Sequence, residues 1–135
     1  MATKIIKAIL VEPGKHPKTT YIPLSKSVFN SIISVGSPLE TNASSFKIND
    51  DVVAIYNENG PLHDLPGNRR LGNKIITGTF LVVAVDSFDH ICSMPTNMLL
   101  KYKSMLWQTE KIPSSEVYEA HFDCFYRSLE EIEFS

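Results

Sequence analysis

Two arginines stand side by side in a stretch punctuated by glycine and proline, Tyr56 to Phe80, reading YNENGPLHDLPGNRRLGNKIITGTF. Arg69 and Arg70 are two of only three arginines in the chain. A planar guanidinium presents forked N–H donors that match the oxygens of a phosphate or carboxylate. Asn57, Asn68 and Thr79 add polar groups from the same stretch. Glu12 and Lys15 lie in an earlier turn that can converge on it if the first strand neighbours a later one. The expected ligand-binding set is therefore Glu12, Lys15, Asn57, Asn68, Arg69, Arg70 and Thr79, and the expected ligand is anionic and nucleotide-like. The same residues are open to a structural arrangement. Arg69 would then bond backbone carbonyls and hold the loop closed, Asn57 would cap a turn, and Thr77 and Thr79 would be ordinary strand threonines.

An enzymatic reading needs a base together with a nucleophile or a metal. His63, next to Asp64, offers a general base or acid, with Arg69 stabilising phosphoryl charge. That alternative is a small nucleotide-directed hydrolase or phosphodiesterase using His63 and Arg69. A single loop histidine beside an aspartate is more often surface decoration, so a non-catalytic binder is favoured. His16, His90 and His121 are scattered, without HExxH or Cys/His ligand spacing, and zinc is not expected. Asp50 and Asp51 are adjacent carboxylates on a turn and read as solvated. Cys92 and Cys124 form no CxxC pair and no disulfide framework, which fits free thiols in a reducing cytoplasm. There is no GxxxxGK[ST] and no GxGxxG, and neither a metal nor a cofactor is expected.

The elements that must position these groups follow from periodicity. Ile5 to Val11 reads as a buried strand, Glu12-Pro13-Gly14-Lys15 as a turn, and Lys18 to Ile22 as its hairpin partner. A short helix capped by Ser25 or Ser27 runs to Ser34, burying Val28, Phe29, Ile32 and Ile33. Residues 37–45 form a polar connection. Phe46 to Ile48 and Val52 to Tyr56 are strands around Asn49-Asp50-Asp51. Beyond the Arg69 stretch, read as a binding loop, Ile75 to Val85 is expected as one long strand with a bulge at Gly78. Phe88 to Cys92 is a further short strand. A helix from Pro95 to about Trp107, capped by Ser93 or Thr96, carries a stripe of Met98, Leu99, Tyr102, Met105 and Leu106. Ser114 or Ser115 caps a last helix, with a strand over 117–126 as the alternative.

The fold class expected is α+β: a single domain with a mostly antiparallel mixed sheet of about five or six strands and two or three helices. The 135 residues have room for one main core. A net charge of -2 argues against a general nucleic-acid coat. That charge is uneven: residues 110–135 carry a net -5 and the first 109 residues +3. The division is accordingly a core domain over 1–109 and an acidic segment over 110–135, helical and packed on the core. Lys7 interrupts the first apolar segment and no small-residue cleavage site follows it. No run approaches the ~18 apolar residues of a membrane span. A cytoplasmic protein without a membrane partner is expected.

From Ile6 to about Trp107 the chain resembles an uncharacterised family of small phage, plasmid and bacterial proteins. The resemblance rests on Val11-Glu12-Pro13-Gly14-Lys15, Asp51-Val52-Val53-Ala54-Ile55 with Asn57-Glu58, Leu65-Pro66 with Asn68-Arg69, and Gly78-Thr79-Phe80-Leu81-Val82-Val83. Gly67 stands where that family tends to place a bulkier apolar residue, and residues 37–45 look like a local insertion. The resemblance implies a mobile-element origin and a shared α+β domain, and it supplies no activity. Small proteins of that origin often act by binding. The expectation is thus a non-catalytic inhibitor of a host defence factor in the host cytoplasm. Its partner would be a nucleotide-like small molecule or a host protein, with no direct nucleic-acid contact, and a homo-oligomer is compatible with either.

Overall fold

The apolar runs build a sheet that is buried on both faces. The computed structural model describes residues 4–37, 43–61 and 65–119. Its elements are β1 (Ile5–Val11), β2 (Lys18–Pro23), α1 (Lys26–Ile33), β3 (Ala43–Asn49) and β4 (Val52–Asn57), then β5 (Gly67–Leu71), β6 (Lys74–Thr77), β7 (Phe80–Val85), β8 (Ile91–Cys92) and α2 (Thr96–Met105). Residues 114–119 are helical and are called α3. Six strands form an antiparallel sheet in the order β2-β1-β7-β4-β3, with β8 also paired to β7. β5 and β6 make a separate two-stranded sheet. The α+β single-domain expectation is met.

β7 is the central strand, and all six of its residues are buried. Alternation sends Phe80, Val82 and Ala84 to one face and Leu81 and Val83 to the other. The first face collects Ile9, Val11, Val52 and Ala54 under the β5–β6 hairpin and α2, through Leu71, Ile76, Leu99, Tyr102 and Leu106. The second collects Ile6, Ala8, Ile22 and Ile55 under α1, through Phe29 and Ile33. Burying such a Val or Leu side chain is worth roughly 1.5–3 kcal/mol. Covering on both faces is why β1 and β7 read as continuous apolar runs rather than alternating ones.

Ser25 is the N-cap of α1, its hydroxyl accepting from the Val28 N–H, and Gly36 at φ +83° lies beyond the helix end. α2 starts differently from expectation. Its N-cap is Pro95 with no side-chain cap bond. Ser93 and Thr96, the expected caps, are turned to β1 instead: Ser93 Oγ accepts from Lys7 N at 2.9 Å and Thr96 Oγ1 from Lys7 Nζ at 3.1 Å. Met105, expected in the buried stripe, is half-exposed at 51%.

Three further expectations are corrected. Ile75 to Val85 is not one strand, because Gly78 adopts φ +71° and breaks it into β6 and β7, which belong to different sheets. The Arg69 stretch is not a loop, since β5 and β6 pair across a two-residue Gly72-Asn73 turn. The short strand after β7 is only Ile91–Cys92. Its first expected residues belong to a turn in which Asp86 Oδ1 accepts from the N–H groups of Phe88 and His90, with Asp89 at φ 61°. β3 begins at Ala43, so part of the expected polar connection is strand.

Candidate functional site

The polarity of the β5–β6 hairpin comes from a bulge. Gly67 faces Thr77 while Arg69 faces Ile76, so Asn68 is the extra residue on β5. A regular strand would send neighbouring side chains to opposite faces. The bulge instead lets both Asn68 and Arg69 turn inward, at 0% and 2% exposure. Arg70, next along, points outward.

Asn68 and Arg69 knit three segments together. Asn68 Nδ2 donates to the carbonyls of Val11 at 3.0 Å and Gly78 at 2.8 Å. Its Oδ1 accepts from Arg69 Nη1 at 2.7 Å. Arg69 Nη1 also donates to Asn68 O at 3.0 Å, Nε to Leu106 O at 3.0 Å, and Nη2 to Lys15 O at 2.7 Å. Four of the five guanidinium N–H groups are thus spent on oxygens from β5, the β1–β2 turn and the end of α2. Burial pushes the Arg69 pKa down and the charge of Glu110 opposes that shift. Carbonyl dipoles take the place of solvent around the cation. This is the arrangement in which Arg69 bonds backbone and closes the structure.

Arg70 is the arginine that faces outward. Its Nη1 and Nη2 donate to the two carboxylate oxygens of Glu116, the second at 2.9 Å. Its Nε lies 3.3 Å from Glu110 Oε2. The Glu116 hydrogen bond, and then the charges of Glu116 and Glu110, raise the Arg70 pKa, while Arg70 holds the Glu116 carboxyl below its ordinary value. A concavity of about 350 Å³ opens beside this cluster, lined by Arg70, the Gly72-Asn73 turn, Lys74 and Glu116. Lys74 Nζ sits 4.8 Å above the Tyr56 ring.

Other expected site residues are placed as follows. Glu12 pairs with Lys18 at 3.2 Å and Lys15 at 3.6 Å, and the Lys18 hydrogen bond leads the depression of its pKa. Lys15 joins the cluster through its carbonyl, while its side chain is exposed. The expected convergence of the Glu12–Lys18 turn on Asn68 and Arg69 is present, made by main chain. Asn57 stands apart: it is buried and its Oδ1 accepts from Asn59 N at 3.0 Å, the expected turn-capping contact. Its Nδ2 has no partner among the described residues. Thr77 and Thr79 are buried, and Gly78 N donates to Pro66 O at 2.8 Å. His63 and Asp64 lie outside the described residues, as do Cys124 and everything after residue 119. Asp50 and Asp51 are exposed at the β3–β4 turn, and the described residues hold no group of three His, Cys, Asp or Glu suited to a metal ion. No helix among the described residues is long and apolar enough to cross a membrane.

The partners of Arg70 carry no local signal in the sequence. Glu110 and Glu116 were visible only as members of an acidic segment. Gly67 was the other sign: a Cβ built there would lie 2.7 Å from Ile112 Cβ, so the missing side chain makes the notch in which Ile112 sits. Pro13, Gly14 and Pro66 line the shallow groove of about 540 Å³ around that contact.

A two-faced antiparallel sheet, with a bulged hairpin locked over one end by an Asn–Arg pair, defines a small α+β domain. The chain belongs to the family described as Domain of unknown function (DUF3846), whose model matches residues 6–106. Among curated proteins and among solved structures, none matches the chain. The family match ends at Leu106, the residue whose carbonyl Arg69 holds, so Glu110, Ile112 and Glu116 lie beyond it.

Proposed function

We propose that this is a non-catalytic binding protein that captures an anionic, nucleotide-like ligand on the Arg70 face of the β5–β6 hairpin. In the mobile-element context implied by the sequence resemblance, capture would inhibit a host defence factor by sequestering its ligand. One observation carries the reading: Arg70, half-exposed on a paired hairpin, already holds oxyanions along its guanidinium edges. Fork-to-carboxylate geometry is also fork-to-phosphate geometry. Arg69, whose donors are committed to main chain, supports the hairpin from below.

The test incubates the protein with cyclic and ADP-ribose-type nucleotides at high concentration, removes free ligand, denatures the protein and identifies what is released. Intact nucleotide, lost in a folded Arg70→Ala variant, supports the proposal. A converted product overturns it in favour of a nucleotide-directed hydrolase. Absence of any released nucleotide overturns it in favour of a protein partner.

A further inference from the structure

The residues on Arg70 come from the chain itself, and their geometry describes a ligand. Glu116 meets the guanidinium end-on, both carboxylate oxygens against Nη1 and Nη2. Glu110 approaches a second edge, at Nε. One cation therefore carries two separate oxyanion groups on adjacent edges, and the concavity beside Glu116 is lined by Lys74, whose Nζ rests 4.8 Å above the Tyr56 ring, and by Glu119. The segment that delivers these carboxylates lies beyond the family-matched range and is seated by Ile112 in the Gly67 notch and by buried Val117. Its exit from α2 is tied down by Arg69 on Leu106 O and by His16, which stacks on Trp107 with ring centroids 4.1 Å apart. Ile112 and Val117 hold the backbone of this segment in place, so Arg70 is released by rotation of the part-exposed Glu110 and Glu116 side chains, with the core left packed.

Building on the binding role proposed above, we infer that the hairpin site takes a diphosphate-type ligand, and that Glu110 and Glu116 are internal stand-ins which the ligand displaces. Two linked phosphoryl groups reproduce the two-edge occupation of Arg70, and Lys74, swung from the Tyr56 ring, supplies a second cation. Ion pairs exposed to solvent are individually weak, so the strap holds the site closed without locking it. The closed population lowers apparent affinity by the fraction of molecules in which Arg70 is free.

Isothermal titration with inorganic pyrophosphate, ADP and orthophosphate tests this, using the full chain and its Glu110→Gln/Glu116→Gln variant, with thermal melts confirming the fold. The double variant should bind pyrophosphate and ADP about tenfold more tightly than the unmodified chain. Orthophosphate should bind more weakly than either, and adding Arg70→Gln should abolish the gain. Equal affinity for pyrophosphate in both proteins, lost with Arg70→Gln, overturns displacement while leaving Arg70 as the anion site. Orthophosphate binding as tightly as pyrophosphate overturns the two-group ligand. No binding of pyrophosphate or ADP by either protein overturns the inference and the binding role together.

Discussion

Adjacent arginines with opposite surroundings make a sharp prediction. Arg69→Ala removes a buried cation that donates to Leu106 O, Lys15 O, Asn68 O and Asn68 Oδ1. Hydrogen bonds from a charged donor contribute roughly 1.5–3 kcal/mol each, but they do not add, and the desolvation cost of the cation is recovered. A net loss of about 4 kcal/mol is expected, because the acceptors on Leu106, Lys15 and Asn68 lose their donor and each buried acceptor left unsatisfied costs about 1–3 kcal/mol. That is a large share of the ~5–15 kcal/mol that holds a domain of this size together. Arg70→Ala, whose partners are solvent-exposed carboxylates, should leave the unfolding midpoint close to that of the unmodified chain. Urea unfolding followed by fluorescence of the single tryptophan, Trp107, reads both, because its ring stacks on His16 beside the Arg69 contacts. Arg69→Lys should fail to rescue, since one ammonium cannot span three segments. An Arg69→Ala loss below about 1 kcal/mol, within the range of one neutral hydrogen bond, would refute the keystone role.

Three further outcomes are expected. Gly67→Ala places a methyl against Ile112 and should cost about 1–3 kcal/mol through overpacking, and Ile112→Ala in the same chain should relieve little of it because alanine keeps the Cβ that makes the closest contact. Amide exchange across 110–119 would show whether the strap loosens. Gly60→Ala drives a Cβ into Thr77 Oγ1 and within 3.3 Å of Asn57 O, so a loss of ~1–3 kcal/mol should appear as a lower melting temperature. Glu12, Asp86 and Glu116 all have pKa values depressed by their partners: Lys18 for Glu12, the His90 and Phe88 N–H groups for Asp86, and Arg70 for Glu116. A depressed carboxyl stabilises the fold above its unfolded-state pKa and loses that contribution as pH falls through the lower folded-state value. Urea midpoints should therefore be flat near neutrality and decline below the ordinary carboxylate range, less steeply in a Glu12→Gln chain.

The sheet was legible because burial on both faces leaves plain signals: the apolar runs of β1 and β7, and Pro13-Gly14 between β1 and β2. The hairpin was hidden by its own polarity. GNRRL and KIIT carry no strand-like alternation, since the Asn68 bulge turns two polar neighbours inward, although Gly72-Asn73 is a two-residue hairpin turn in type. Gly78 was seen as special, but a bulge and a break look alike until the next strand's partner is known. The convergence of the Glu12–Lys18 turn on Arg69 could be anticipated from strand adjacency. Which of the two arginines faces outward could not, because it depends on a one-residue register shift. The partners of Arg70 lie forty residues or more along the chain, where only charge composition hinted at them.

In the proposed division of labour, Arg69 holds the hairpin and Arg70 is the anion receptor. Nitrogen-15 NMR of the arginine Nε–H groups reads this directly during titration with ADP. The Arg70 resonance should move as ligand displaces Glu110 from Nε, while the Arg69 resonance, bonded to Leu106 O and buried, stays in place. A shift at Arg69 with Arg70 unmoved, or no shift at either, would contradict it.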